Sequence, residues 1–120
     1  MNSSYQDLQV WQKAMDLVVE TYQLVKQLPK EETYALGDQM RRAAVSIPSN
    51  IAEGKDRVSD KEFVHFLTIA RGSAAELETQ FLICNRLDFL NKNEGTTAVE
   101  HCREVGKMLL GLIRSLTHCD

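Results

Sequence analysis

The sequence has no long hydrophobic run. Its 120 residues are 43% hydrophobic and 26% charged, which is typical of a globular chain and not of a disordered one. No apolar stretch approaches the roughly 20 residues that a membrane-spanning helix needs. The N-terminal stretch MNSSYQDLQVW lacks the basic and apolar regions of a secretory signal. We therefore predict a single domain over residues 1–120, a cytoplasmic location and no membrane contact.

The sequence also has no basic excess. It carries 14 Lys and Arg residues against 17 Asp and Glu residues, for a net charge of −3. Proteins that coat nucleic acids normally carry a strong positive charge, because much of their affinity comes from neutralised phosphates. The composition does not favour such a role, although it leaves room for a local basic patch.

Cysteine is scarce, and it follows no recognised pattern. Cys84, Cys102 and Cys119 are widely spaced and form no C-x-x-C pair. An odd number of such cysteines in a chain predicted to be cytoplasmic indicates free thiols and not a disulfide framework. Cys84 and Cys102 fall on apolar helical rows, where cysteine usually acts as a small hydrophobic residue.

Motifs for metal binding and catalysis are missing as well. Glu62 and His65 form one Glu-x-x-His element, whereas a di-iron bundle needs two such elements and two further glutamates. Two His-Cys dipeptides begin at His101 and His118, seventeen residues apart. This spacing is about 25 Å along one helix, too far for both to bind one ion. Without a nucleophile-elbow serine or a glycine-rich phosphate loop, the sequence predicts no enzyme, no metal and no cofactor.

What the sequence does contain is apolar spacing of three and four residues, which indicates amphipathic helices. Four segments show it. Their rows are Leu8, Trp11, Met15, Val18, Tyr22 and Val25; then Leu36, Met40, Ala43, Ala44, Ile47 and Ile51; then Phe63, Phe66, Leu67, Ala70, Ala74, Leu77, Phe81, Cys84 and Leu87; and finally Val99, Cys102, Val105, Gly106, Leu109, Ile113 and Leu116. We expect these rows to face the core.

Start and stop signals separate the four segments. Capping boxes at residues 4–7, 59–62 and 97–100 are expected to begin helices one, three and four, while Pro29, Gly54 as a C-cap, and residues 91–95 end helices one to three. The connections are short and no credible strand is present. The sequence therefore predicts an all-α, antiparallel, up-down-up-down four-helix bundle.

Helices one and three carry more apolar residues than one row requires. Leu17 and Leu24 lie beside the row of helix one, and Ile69, Leu82 and Phe89 lie beside that of helix three. Arcs this wide exceed the usual apolar face of a surface helix. Two explanations stay open, a wide core-facing arc or a surface for self-association.

Pro48 lies inside the stretch SIPSNIAEG, residues 46–54, where the helical pattern would otherwise continue. A helix that stopped before the proline would leave too few residues for another one. We therefore predict that helix two is continuous and kinked at Pro48, with a local break at Ile47 as the alternative. Asn50 and Glu53 then lie on one face and are expected to bond to helix three.

Ser73 and Glu76 of helix three are the expected partners of that face. Nearby Gly72 lies in mid-helix, where glycine costs up to about 1 kcal/mol relative to alanine, so we expect the proline-bearing part of helix two to approach it closely. A buried pair between Arg42 and Glu76 would fix the register of the two helices. The alternative is that these charges face solvent.

These segments resemble a known family. The stretch DLQVWQKAMDLVVETYQLVKQLPKEETYALGDQMRRAAVSIPSNIAEG, followed by FVHFLTIARGSAAELETQ, is similar to the 23S rRNA intervening-sequence protein family of bacterial four-helix bundles. The resemblance covers about residues 7–90 and rests on L-x-V-W, Q-M-R-R-A, S-I-P-S-N-I-A-E-G and A-R-G-S-x-x-E-L. The residues that we assign to a structural signature are Trp11, Arg42, Pro48, Asn50, Glu53, Gly54, Gly72, Ser73 and Glu76.

The resemblance implies a small antiparallel bundle that assembles as a ring-like homopentamer. It implies no established biochemical role and transfers no catalytic residue. A similar fold serves as the accessory protein of diversity-generating retroelements, a basic pentamer that binds nucleic acid and a reverse transcriptase. The present chain departs from that relative in its net charge of −3.

Two functions follow from these observations. The first is a non-catalytic oligomeric interaction or scaffold protein whose partner is itself. The alternative is an RNA-binding accessory protein that acts through basic residues near the turn between helices two and three. The candidate contacts are Arg41, Arg42, Lys55, Arg57, Lys61 and Arg71. Acidic residues interleaved at this turn weaken its positive field. This favours the interpretation in which the turn is simply exposed to solvent over the one in which it binds RNA.

Overall fold

The computed structural model describes residues 4–117, and four long helices account for most of them. They are α1 (Gln9–Val25), α2 (Leu36–Lys55), α3 (Asp60–Arg86) and α4 (Lys92–Thr117), with 3-10 turns at Tyr5–Asp7 and Lys30–Glu32. This part of the chain contains no strand. Successive helices pack against one another and α4 returns beside α1, which confirms the predicted all-α four-helix bundle. Within the same residues, no helix is both long and apolar enough to cross a membrane.

The core-facing row of α1 differs from the predicted one. Its buried residues are Val10, Ala14, Leu17, Thr21, Leu24 and Val25. Leu17 and Leu24, which the sequence analysis placed beside the main row, are only 1% and 4% exposed. Met15 and Tyr22 of the predicted row are exposed instead. The prediction for α1 is therefore confirmed for Val25, is partly right for Leu8, Trp11 and Val18, which are half-buried against the core, and is wrong for Met15 and Tyr22.

The core-facing rows of the other helices largely match the prediction. The buried residues include Met40, Ala43, Ala44, Ile47 and Ile51 of α2, Phe63, Leu67, Ala70, Ala74, Leu77, Phe81 and Cys84 of α3, and Val99, Cys102, Val105 and Leu109 of α4. The exception is Leu87, which lies just beyond α3 and is exposed. Across the core, the sulfur atoms of Cys84 and Met40 are 3.7 Å apart, so the C-terminal part of α3 lies beside the N-terminal part of α2, as in an antiparallel pair.

Helix α2 passes through Pro48 without a break. Its continuity excludes the alternative in which the helix ended at Ile47, because both residues lie inside the helix and are buried. The bend expected at Pro48 stays a prediction.

Gly54 is a packing residue and not the C-cap that the sequence predicted. The helix continues past it, and Asp56 is the C-cap. A Cβ atom at Gly54 would lie 2.7 Å from Cβ of Phe66 and 3.0 Å from Cδ1 of Phe63. Such distances are far below van der Waals contact, so the missing side chain is what allows α2 and α3 to approach so closely.

The N-caps predicted at Ser4 and Ser59 are both present, and the first of them forms a complete capping box. Ser4 and Asp7 form their reciprocal bonds around the first 3-10 turn, and α1 begins just beyond it, at Gln9. At the start of α3, the Oγ of Ser59 accepts a hydrogen bond from the backbone N–H of Glu62 at 3.2 Å, as predicted.

The start of α4 was predicted wrongly. The helix begins at Lys92, so residues 91–95 begin α4 and residues 97–100 lie inside it. The cap is Asn91, whose Oδ1 accepts a hydrogen bond from the backbone N–H of Glu94 at 3.1 Å. Asparagine is among the most favoured N-cap residues, and this upstream cap replaces the threonine box.

Candidate interaction surface

Helix α1 carries a second apolar row beside its core-facing one. Trp11 and Val18 of this row are half-buried against the core, whereas Met15 and Tyr22 are exposed. Trp11, Met15, Val18 and Tyr22 follow one another at spacings of four, three and four residues. This alternation is typical of a helix face that packs along another helix. Met15 is 39% exposed, Tyr22 is 46% exposed and the adjoining Val19 is 55% exposed. The row therefore has the pattern of a helix contact but lacks a partner helix within the described residues.

The row continues across a groove between α1 and α2. Tyr22 and Val45 line this groove together with Arg41 and Arg42, and Val45 is 40% exposed. Arg41 is held in place because its Nη2 lies 2.5 Å from Oδ1 of Asp38. Arg42 is exposed and forms no ion pair with any residue from 4 to 117. We call Trp11, Met15, Val18, Tyr22 and Val45 the α1–α2 surface.

Helix α3 also has an exposed row, formed by Ile69, Gly72, Glu76, Thr79 and Ile83 at alternating spacings of three and four. We call these five residues the α3 row. Ile69 and Ile83 are 40% and 41% exposed. A Cβ atom at Gly72 would meet no other part of the chain within 4 Å. The predicted close approach of α2 to Gly72 is therefore wrong.

A polar contact joins α2 to α3 next to this row. The Oγ atoms of Ser46 and Ser73 are 2.8 Å apart, and Nδ2 of Asn50 donates to the carbonyl oxygen and the Oγ of Ser46 at 2.8 and 3.0 Å. Asn50 thus reaches Ser73 through Ser46 and not directly. The bond expected from Glu53 to α3 is absent, because its carboxylate accepts from Nη2 of Arg57 at 2.7 Å.

The expected buried pair of Arg42 and Glu76 does not form within the chain. Both residues are exposed, and Oε2 of Glu76 accepts a long hydrogen bond, 3.4 Å, from Nε2 of Gln80. The serine pair occupies the contact between α2 and α3, and Arg42 and Glu76 each lie one turn beyond it on the solvent side. The alternative prediction, in which Arg42 and Glu76 face solvent, is therefore the correct one.

The six basic residues proposed for RNA contact are distributed over three places. They lie near the α2–α3 turn (Lys55, Arg57, Lys61), in the groove between α1 and α2 (Arg41, Arg42) and in a groove between α3 and α4 (Arg71). Along α2 alone, about 20 Å separate Arg42 from Lys55. Arg57 and Arg41 are each paired with a carboxylate. The fold therefore does not gather the six into one basic surface.

The ionisable side chains of residues 4–117 include no group of three or more His, Cys, Asp or Glu that could hold a metal ion. His65 is exposed, with its ring edge-on to Phe66 at 5.4 Å between centroids. Nδ1 of His101 lies 2.8 Å from Oε1 of Glu20 on α1. The second His-Cys dipeptide, at residues 118 and 119, lies outside the described residues.

Two thiols lie in the core. Burial, with a smaller contribution from the charge of Glu32, raises the pKa of Cys84 from 9.0 to about 11. Burial, together with the charges of Glu78 and Glu20, raises the pKa of Cys102 from 9.0 to about 12. Both thiols are therefore protonated and unreactive at neutral pH, since the thiolate is the nucleophile.

These raised pKa values predict a stability loss at alkaline pH. The unfolded thiols lose their protons near pH 9 while the folded ones keep theirs up to pH 11 or 12, so rising pH favours unfolding. The contribution of the thiols to the free energy of unfolding should be constant below pH 9 and should fall above it. Urea unfolding from pH 7 to 10.5 measures this. A variant with both cysteines changed to alanine should lose less stability over that range, and an equal loss would contradict the prediction.

Some surface residues were missed by the sequence analysis. Val19, Val45 and Ile83 are exposed apolar residues that lie outside the predicted rows. Ile83 is fourteen residues after Ile69 and seven after Glu76. A search for seven-residue spacing outside the core-facing row would have found it.

The sequence profile of one protein family, described as 23S rRNA-intervening sequence protein, matches residues 6–111. The chain belongs to this family. The match confirms the resemblance that the sequence motifs indicated, and it extends beyond them into α4. Every residue of the α1–α2 surface and of the α3 row lies within the matched part of this intervening-sequence protein.

A solved structure shows the same fold as this intervening-sequence protein. It is the crystal structure of a protein of unknown function from the S23 ribosomal protein family of Bacteroides thetaiotaomicron, with 24% sequence identity and a TM-score of 0.81, covering 88% of the present chain and 98% of the other. No curated protein matches the chain significantly. Neither the family's description nor that of the solved structure names a catalytic activity.

Proposed function

We propose that this protein is a non-catalytic interaction protein that assembles with copies of itself in the cytoplasm, as a ring of five copies in line with the family resemblance. The single observation that carries the proposal is the α1–α2 surface. The six basic residues are dispersed over three places, so self-association is better supported than RNA contact.

The composition of the α1–α2 surface supports this function. Aromatic residues and methionine are enriched at protein–protein interfaces, while lysine, glutamate and aspartate are depleted there. The surface contains Trp11, Met15 and Tyr22 together with two valines, and the charged residues Asp38, Arg41 and Arg42 line the groove at its edge. Trp11 is half-buried and packs edge-on against Tyr5 at 5.4 Å between ring centroids, so this end of the surface is already ordered before any partner binds.

The spacing of the surface indicates what kind of structure covers it. Residues that alternate at three and four positions remain on one side of a helix over several turns. Such a row fits a second helix lying nearly parallel to α1. Monomeric proteins seldom leave large contiguous apolar patches exposed, and a second copy of this helical bundle provides the helix. An assembled ring would also present several copies of any outer surface, so that weak contacts to a further partner add through avidity.

The assembly can be tested with the double variant Met15→Asp, Tyr22→Asp. Two carboxylates in the α1–α2 surface would have to be buried unpaired, which costs several kcal/mol. We expect the wild type to sediment as an oligomer at micromolar concentration and the variant to sediment near the 13.6 kDa of one chain. Sedimentation velocity measures both, and circular dichroism checks that the helices are retained.

The matched control for this experiment is Leu82→Asp. Leu82 is 40% exposed, like Met15, and belongs to neither the α1–α2 surface nor the α3 row. The control should assemble as the wild type does. A wild type that is monomeric at micromolar concentration would disprove the proposed function, and so would a double variant that still assembles.

A further inference from the structure

We infer that the α1–α2 surface of one copy packs against the α3 row of the next copy, with Arg42 paired to Glu76 across the contact. This inference rests on the proposed self-association and specifies which surface of each copy contacts its neighbour. Three observations support it, and each concerns a feature that is unexplained within one chain.

The first observation is that the two exposed rows lie on different helices. A contact between two identical α1–α2 surfaces would cover one row of each chain and leave Ile69 and Ile83 exposed. A contact between unlike surfaces covers both rows of every chain. Such head-to-tail contacts form a closed ring when the rotation between neighbouring copies closes.

The second observation is the open space at Gly72. Glycine inside a helix costs up to about 1 kcal/mol relative to alanine, and in this chain nothing lies within 4 Å of the position of its absent side chain. Gly106 and Gly111 of α4 are equally open, but Gly72 differs from them in lying within the exposed α3 row, between Ile69 and Ile83. A bulky residue of an adjacent copy, such as Tyr22, fits over Gly72 and approaches the backbone of α3.

The third observation is the pair of unmatched charges. Glu76 lies between Ile69 and Ile83 in the α3 row, so its carboxylate would lose water when the row is covered. A carboxylate that is buried without a partner is strongly unfavourable. Arg42 adjoins the α1–α2 surface and lacks an ion pair among residues 4–117. The neighbouring Arg41 is engaged by Asp38, which leaves Arg42 as the free cation of this groove.

Charge-reversal variants test the contact. R42E and E76R should each weaken assembly at least tenfold, because each places two like charges in contact. The double variant R42E/E76R should recover the assembly, because every contact then combines both changed residues. An equimolar mixture of the single variants should recover part of it. Contacts between the two variants combine either both changed residues or neither, but a ring of five has at least one contact between copies of the same variant. Sedimentation velocity of each variant and of the mixture, at equal total concentration, measures the recovery.

Matched controls come from α4, where Lys107 and Glu100 are both exposed. K107E and E100K should assemble as the wild type does, which would show that a change in net charge is not the cause. A pair formed within one chain would be restored in the double variant R42E/E76R but not in the mixture. That result would overturn the inference, and so would single variants that assemble normally.

The two proposals fail in different ways in these experiments. A monomeric wild type disproves both of them. A wild-type oligomer that Met15→Asp, Tyr22→Asp dissociates, but that R42E and E76R leave intact, preserves the proposed function and removes only the inferred contact.

Discussion

Phe81→Ala is expected to lower the free energy of unfolding by about 3–5 kcal/mol. Phe81 lies on α3 in the middle of the core and has no exposed surface. Truncation removes the transfer free energy of the ring and leaves a cavity that the surrounding helices fill only partly. Urea unfolding followed by circular dichroism measures the loss. It should be performed at one protein concentration, because self-association adds to the apparent stability.

The neighbouring residue provides the control for this substitution. Leu82 is 40% exposed and points away from the core, so Leu82→Ala should cost well under about 2 kcal/mol. Equal losses at Phe81 and Leu82 would mean that α3 presents a different face to the core from the one described.

Gly54→Ala is expected to destabilise the protein by about 1–3 kcal/mol, although alanine has the higher helix propensity. The added methyl group would lie 2.7 Å from Cβ of Phe66. A Cβ atom cannot rotate away as the end of a side chain can, so α2 and α3 would have to separate locally. Thermal unfolding of the variant measures the effect.

The same substitution at Gly111 should have the opposite sign. Gly111 is also inside a helix, but a Cβ atom there would meet no other part of the chain within 4 Å. Gly111→Ala should therefore raise the free energy of unfolding by up to about 1 kcal/mol. A Gly54→Ala variant that is stabilised in the same way would refute the packing role of Gly54.

The helices and most of the core could be predicted from apolar spacing because α2, α3 and α4 each have one dominant row. Helix α1 could not be assigned in this way. Its two rows are equally periodic, and the polar positions Lys13, Asp16 and Glu20 leave a wide apolar arc on the other side of the helix. Which part of this arc faces the core depends on where α2 and α4 lie, and that information is not contained in the sequence of α1.

Only the apolar part of the candidate surface could be predicted from the sequence. The wide apolar arcs of α1 and α3 in the sequence indicate a self-association surface as one of two explanations. The orientation of Arg42 and Glu76 could not be predicted, because it depends on the contact one turn away between Ser46 and Ser73, two residues that are far apart in the sequence. Chemical complementarity indicated a pair, but spacing along one helix cannot tell whether such a pair forms within a chain or between chains.

The two apolar rows of α1 have a consequence for how the chain reaches a unique structure. Rotating this helix by about 100°, one residue position, would exchange the row that contains Leu17 for the row that contains Met15. In an isolated chain both orientations bury an apolar row, so the folding landscape contains a competing packed state. In the assembly only the observed orientation buries both rows at once. A neighbouring copy would thus act as a template that selects one orientation of α1.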